Sequence, residues 1–432
     1  MRDILLLTVS IALLISIFRK PFWGVLMWCW ISYMVPHKLS WGFMVNFPLA
    51  QLTAIIFLFS FLISNEKKTN TLRGPLIWLI LFNLWIFITY IANPMTLDAQ
   101  GSFDKILKIQ LFTFITYILL TTRERLNQIL WVVALSILFY GFKGGIYTIL
   151  SGGGGRVWGP PGGFFQGNNE LGLTLLMAIP IMFYLGAIAK NRWLRWLSWL
   201  IIGLSVIAVL GTQSRGALVA ILCCGFFFWV KSHSKAISLL LILMVLPIGY
   251  NFMPQSWHDR MSTIVESDEQ SYDSSVQGRF NAWRMSFNLA TSQPLGGGLD
   301  SFTRENFFLY APNPDDFHDA HSIYFKVLAQ QGFVGLLLFL GMWLSTWRMA
   351  AKVYLKTKDK AELEWANLLA RMLQISLIAY ASGGTFLGLS YFDLPYHILI
   401  FVVALYNLVE QKLEQEPESE KSATNYNNVL VS

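Results

Sequence analysis

The chain has 432 residues, of which 55% are hydrophobic and only 13% charged, with a mean hydropathy of +0.50. A soluble domain carries roughly 25% charged residues, so half that proportion cannot cover a water-facing surface of this size, and a cytosolic globular enzyme is excluded. The net charge of +7, from 32 Lys and Arg against 25 Asp and Glu, reads as membrane orientation and not as nucleic-acid binding, because the basic residues cluster between apolar runs. The only cysteines, Cys29, Cys223 and Cys224, lie inside those runs, which excludes a secreted disulfide scaffold.

A spanning helix needs about 17–25 apolar residues. Candidate runs lie near 4–18, 21–35, 48–64, 74–92, 104–120, 126–150, 169–189, 193–210, 216–230, 236–252, 322–349, 364–388 and 395–411, the first two short enough to form a hairpin. The fold class this predicts is an all-α polytopic integral membrane protein of about 12–13 transmembrane helices. The first run resembles a signal peptide's apolar region, but no small-residue cleavage site precedes Arg19 and Lys20, so it is expected to be retained.

Basic clusters at Arg19–Lys20, Lys67 to Arg73, Arg123–Arg125, Lys190 to Arg195, Lys231–Lys235 and Arg348 to Lys360 fall between alternate pairs of spans, as one cytoplasmic face requires. The opposite face then receives a Gly-rich segment at 151–168, a short turn at 211–215 and a long loop at 253–320. Residues 251–320 hold no lysine, four arginines and ten carboxylates, so the long loop is acidic and external. The expected divisions are N-terminal transmembrane helices at 1–150, the Gly-rich loop at 151–168, core transmembrane helices at 169–252, the external loop at 253–320, C-terminal transmembrane helices at 321–411 and a disordered cytoplasmic tail at 412–432. No internal repeat or inverted pair of interrupted helices is visible, which counts against a transporter.

Polar residues near the outer face carry the functional information. The Gly-rich segment from Ser151 to Glu170 contains Arg156; its backbone can approach phosphates closely, but it lacks the lysine and Ser/Thr of a nucleotide loop, and the alternative is a flexible connection. In the run Gly211 to Ala220, Arg215 sits at the junction of two apolar spans beside Gln213 and Ser214; its planar fork suits phosphate, the alternative being an arginine that snorkels at a helix end. Around Gln277 to Phe287, Phe280, Trp283 and Phe287 recur at helical spacing, predicting an amphipathic surface helix with Arg279 near its start and Arg284 further on; the alternative for both arginines is a headgroup anchor. At Phe317 to Gly335, His321 would sit where the loop enters a membrane helix, able to accept a proton near neutral pH. Gly332 and Gly335, about three turns deeper, would permit close contact or a bend. His318 and His321 near Asp315, Asp316 and Asp319 could instead hold a metal, but two histidines three apart are a weak signal and no metal is expected.

His321-Ser322, nine residues and Gly332-x-x-Gly335 resemble the signature of bacterial O-antigen ligases, in which a histidine and a small polar residue precede a spaced glycine pair. Ser-Arg-Gly-Ala at 214–217 and Gly278-Arg279-x-x-x-Trp283 resemble the two other landmarks of that superfamily, and all three occur in family order over roughly 170–400. Arg19-Lys20-Pro-Phe-Trp-Gly and Pro36-His37-Lys38-Leu-Ser-Trp41-Gly-Phe resemble a narrower branch, the O-glycosylation ligases found beside exosortase systems.

The resemblance implies a cofactor-free, metal-independent GT-C type glycosyltransferase in the bacterial inner membrane, acting on its periplasmic side. The donor it implies is a glycan on undecaprenyl diphosphate; the acceptor is lipid A-core or another glycan or protein hydroxyl, with membrane lipids as surroundings and no nucleic acid. It makes His321 the general base and Arg215 and Arg279 the diphosphate ligands. Arg156, Arg284, His318 and Ser322 are secondary candidates, and Gly332 and Gly335 are the motif glycines. The same superfamily contains polymerases and protein O-oligosaccharyltransferases, so those activities stay open, as does a more distant lipid-linked sugar transporter.

Overall fold

The computed structural model describes residues 1–232, 234–262 and 274–430. The acidic stretch 263–273 of the long loop therefore lies outside the described residues. Among those described there is no strand. The helices are α1 (Arg2–Arg19), α2 (Phe22–Met34), α3 (Leu49–Ile63), α4 (Gly74–Ala92), α5 (Leu97–Leu119), α6 (Arg123–Leu150), α7 (Asn168–Ile188) and α8 (Arg192–Gly211). They continue as α9 (Arg215–Lys231), α10 (Lys235–Phe252), α11 (Gln255–Ser262), α12 (Ser274–Ser292), α13 (Arg304–Tyr310), α14 (Ile323–Thr357), α15 (Glu364–Gly384) and α16 (Asp393–Leu430). The all-α polytopic class is what the apolar runs predict.

Among the described residues six helices, α4, α6, α7, α8, α14 and α16, are at once long and apolar enough to cross a membrane by themselves. The runs at 21–35 and 48–64 yield helices of only 13 and 15 residues. Elsewhere charge intervenes: α1 carries Arg2, Asp3 and Arg19, and α5 carries Asp98, Asp104, Lys105 and Lys108. The 253–320 segment is not a plain loop either, since it contains α11, α12 and α13. The tail expected to be disordered carries helical backbone to Leu430, continuous with α16, because extending an existing helix avoids the cost of nucleating one.

The core is built from α7, α15 and α16, which are buried on nearly all sides. A buried polar group costs free energy unless it is hydrogen-bonded, and several polar side chains of α15 find partners. Arg371 Nη1 donates to Lys231 O at 2.7 Å, Lys231 Nζ donates to Gln374 Oε1 at 2.8 Å, and Ser376 Oγ donates to Met177 O at 2.7 Å. The N-terminal helices are tied to the last one in the same way: Ser32 Oγ donates to Asp393 Oδ2 at 2.6 Å, and Tyr33 hydrogen-bonds His397. The starts of α7, α9 and α14 meet at one end of the bundle, around the end of α15. There Gly383 packs on Leu173 and Ala220, and Gly384 on Ile323.

Candidate active site

The first component is the turn between α8 and α9. Ser214 caps α9, accepting from Ala217 N at 3.2 Å, and Arg215 is the first helical residue, half-buried with its neighbours Gln213 and Ser214 buried. The Gly-rich segment is docked on this turn: Val157 N donates to Gly211 O at 3.0 Å, Gln213 Nε2 to Gly153 O at 3.1 Å, and Arg156 Nε to Gln213 Oε1 at 3.3 Å. The start of α7 joins them through Asn168 Nδ2, which donates to Thr212 O at 2.8 Å. Arg156 thus stands beside the Arg215 turn, held by its neighbour Gln213.

The second component is α12 and the segment it fixes. Asn281 Nδ2 donates to Asn313 O at 2.8 Å and Asp316 O at 2.9 Å, and accepts from Asn313 N at 2.9 Å. Trp283 Nε1 donates to Ala320 O at 2.8 Å, and its ring stacks on Phe325 with centroids 4.8 Å apart. Gly278 is where this segment comes closest: a Cβ there would lie 2.3 Å from the His318 ring. His318 itself is taken up by Asp316, with Nε2 to Oδ1 at 2.7 Å, and does not join His321 as a ligand pair. Of the predicted apolar face of α12, Phe280 and Phe287 are half-exposed, and the residues that pack inward against Phe307 are instead Ala282, Met285 and Leu289. Arg284 is exposed.

The third component is a break in α14. Gly332 has φ +65° and ψ −171°, which interrupts the helix. Carbonyls freed by such a break need donors, and three arrive from elsewhere in the chain. Gly297 N reaches Ala329 O at 2.8 Å, Gly298 N reaches Gln330 O at 3.1 Å, and Trp85 Nε1 of α4 reaches Gln331 O at 2.8 Å. Gly335 allows that approach, since a Cβ there would lie 3.1 Å from the Trp85 ring. The signature glycines therefore isolate a short helical stretch of 323–331, with His321 just ahead of it.

His321 has φ +43°, in the left-handed region where a non-glycine residue is uncommon and carries a cost of about 1–3 kcal/mol. Its neighbours hold it there: Ala320 O is bound by Trp283, and Ser322 is fully buried at the N-cap with its Oγ unpartnered. Burial pushes the imidazole below its ordinary value of 6.5; Asp319 and Glu170 oppose this, while Arg279 and Lys326 reinforce it. At neutral pH the ring is uncharged and able to accept a proton.

The start of α12, which carries Arg279, is joined to the segment leading into His321 through Gly278 against His318 and Trp283 to Ala320. Arg215 and Arg156 stand at the same end of the bundle, connected through the start of α7. Glu170 and Lys326 act electrostatically on the histidine and are not apparent from its sequence surroundings. Glu170 carried one signal, an acidic residue in the first turn of a helix that follows a Gly-rich segment.

An all-α polytopic membrane protein with a histidine and arginines gathered at one end of its bundle is the class defined by these observations. Residues 200–340 match the family model described as O-Antigen ligase, and this stretch of the chain supports a likeness to the O-antigen ligase superfamily. Arg215, Arg279, His321, Gly332 and Gly335 all lie within that match, which is shorter than the 170–400 over which the resemblance was read. Residues 1–190 match a family of unknown function (DUF5935), and the Arg19 to Gly24 and Pro36 to Phe43 motifs fall inside it, as do Arg156 and Glu170. No curated protein matches the chain.

Proposed function

We propose that the protein is a ligase-type membrane glycosyltransferase of the GT-C class, moving a glycan from undecaprenyl diphosphate to an acceptor hydroxyl at the periplasmic face of the bacterial inner membrane. His321 takes the proton of that hydroxyl. The acceptor oxygen bonds to the anomeric carbon as the bond from that carbon to the diphosphate oxygen breaks, inverting the centre. The electron pair departs with the diphosphate, whose charge Arg215 and Arg279 neutralise, so the reaction requires no metal. The observation that carries this reading is the left-handed His321 set just ahead of the broken helix α14, with Arg215 and Arg279 in the same O-antigen ligase match. Arg215 adds to it. At the first position of α9 it stands where free amides and the helix dipole favour phosphate.

Arg215→Lys keeps the charge and loses the fork, and is expected to lower turnover by about 10²-fold in a transfer assay in detergent. Wild-type turnover would make Arg215 a headgroup anchor only. The pH profile follows from the direction of the His321 shift. The base form exists above the histidine pKa, so the acid limb of kcat/KM is expected below 6.5, the ordinary imidazole value. Asp319 favours the charged ring, so Asp319→Asn is expected to move that limb further down. An acid limb above 6.5, or one unmoved by the substitution, would assign the proton transfer to another group.

Deleting the gene in its host and analysing carrier-linked and acceptor-linked glycans by gel and mass tests the reaction itself. Long glycan accumulating on the carrier, with none on lipid A-core or protein, is the expected result. An acceptor carrying only single repeat units would mean a polymerase instead.

A further inference from the structure

A cavity of about 290 Å³ reaches the segment that carries His321 through Asp319, two residues before it, and Lys326 in the first turns of α14. Its polar wall includes Lys105 of α5, Asp300, Asp319, Lys326 and Gln330, with Phe164, Phe302 and Phe392 supplying apolar surface. Asp319 and Lys326 are the residues it shares with the surroundings of the histidine. We propose that this cavity holds the acceptor sugar whose hydroxyl His321 deprotonates, an assignment that rests on the transferase reading above.

The chemistry of the wall selects the ligand class. Asp319 and Lys326 pair with each other at 3.4 Å, and Lys105 and Asp300 add one charge of each sign, so the wall carries no net charge that would favour an anion or a cation. Lysine only donates and carboxylate only accepts; a neutral hydroxyl does both and satisfies either sign. Asp300 is held in place by Thr96 Oγ1, which donates to its Oδ2 at 2.7 Å. Gln330 is only 4% exposed, and its Nε2 donates to Leu299 O at 2.8 Å while its Oε1 has no partner. The phenylalanines offer surface for the C–H face of a ring. At 290 Å³ the cavity is at the bottom of the roughly 300–1,000 Å³ range of ligand pockets, matching a terminal sugar and not a polymer.

Arg215, Arg279 and His321 are not among the lining residues, so the cavity adjoins the reacting groups and does not contain them. Lys105 and Phe164, by contrast, belong to the 1–190 segment that matches a family of unknown function. The role this gives the N-terminal half is recognition of the acceptor.

The test uses the purified full-length protein, with carrier-linked glycan and unmodified acceptor extracted from the deletion strain. In Lys105→Ala and Asp300→Asn the KM for acceptor is expected to rise about tenfold, as loss of a hydrogen bond to a charged group implies, with the KM for donor unchanged and Lys105→Arg restoring most of the loss. A rise in donor KM instead would mean the cavity holds the donor's sugar, and no change in either would overturn the site. Saturation-transfer NMR with free glucose, galactose and N-acetylglucosamine tests the cavity independently of turnover. Signal from at least one sugar, kept in His321→Ala and lost in Asp300→Asn, is expected; signal from none overturns the proposal. Undiminished transfer in His321→Ala would sink the base assignment while leaving the sugar-binding result to stand by itself.

Discussion

Replacing His321 with alanine is expected to reduce glycan transfer by about 10²–10⁴-fold, the usual contribution of a positioned general base, while the protein still elutes as a folded species in detergent. The side chain is only half-buried, and the neighbouring backbone is fixed by Trp283 at Ala320 and by the buried Ser322, so its removal takes away chemistry more than structure. Because φ is +43° here, His321→Asn is the better-matched companion variant: asparagine tolerates the left-handed region and cannot act as the base. Both variants are expected to bind donor and fail to transfer. Normal turnover in either well-folded variant would remove His321 from the mechanism.

Gly332→Ala is expected to be the most disruptive single-methyl change at the site. A Cβ at this position would lie 2.2 Å from Pro294 O, and the φ/ψ pair of +65° and −171° is open to almost nothing but glycine. The cost is about 2–3 kcal/mol or more, paid by displacing either the 294–298 turn or the stretch that follows His321, so stability and activity fall together. Gly203→Ala in α8 is the control, since nothing lies within 4 Å of a Cβ there. Thermal unfolding in detergent distinguishes them: a lowered melting temperature for Gly332→Ala and none for Gly203→Ala is the expected pattern. Equal melting temperatures would mean the break in α14 is dispensable.

The fold class was legible because apolar runs of spanning length leave few alternatives to helices in lipid. Where each helix stops was less legible. The run at 364–388 reads as one more span, yet α15 holds Asn367, Arg371 and Gln374 in the protein core, and the partners that make this possible come from residues far away in sequence. The same limit applies at the site. His321, Arg215, Arg279 and the glycines are set by short spacings and could be read directly. Glu170, Trp85 and the Gly297–Gly298 amides meet α14 or the histidine only through the fold. His318 is paired with Asp316, a local contact that spacing does not encode.

The interruption of α14 also governs how the molecule can change. From Gln293 to Gln331 the chain is stitched to itself, by Gly297 and Gly298 at one end and by Asn281, Trp283 and Gln330 along the way. An inserted residue between Ser292 and Ser322 would pull on that stitching and carry His321 out of register. Change in the length of this region without loss of chemistry is therefore closed between Ser292 and Ser322.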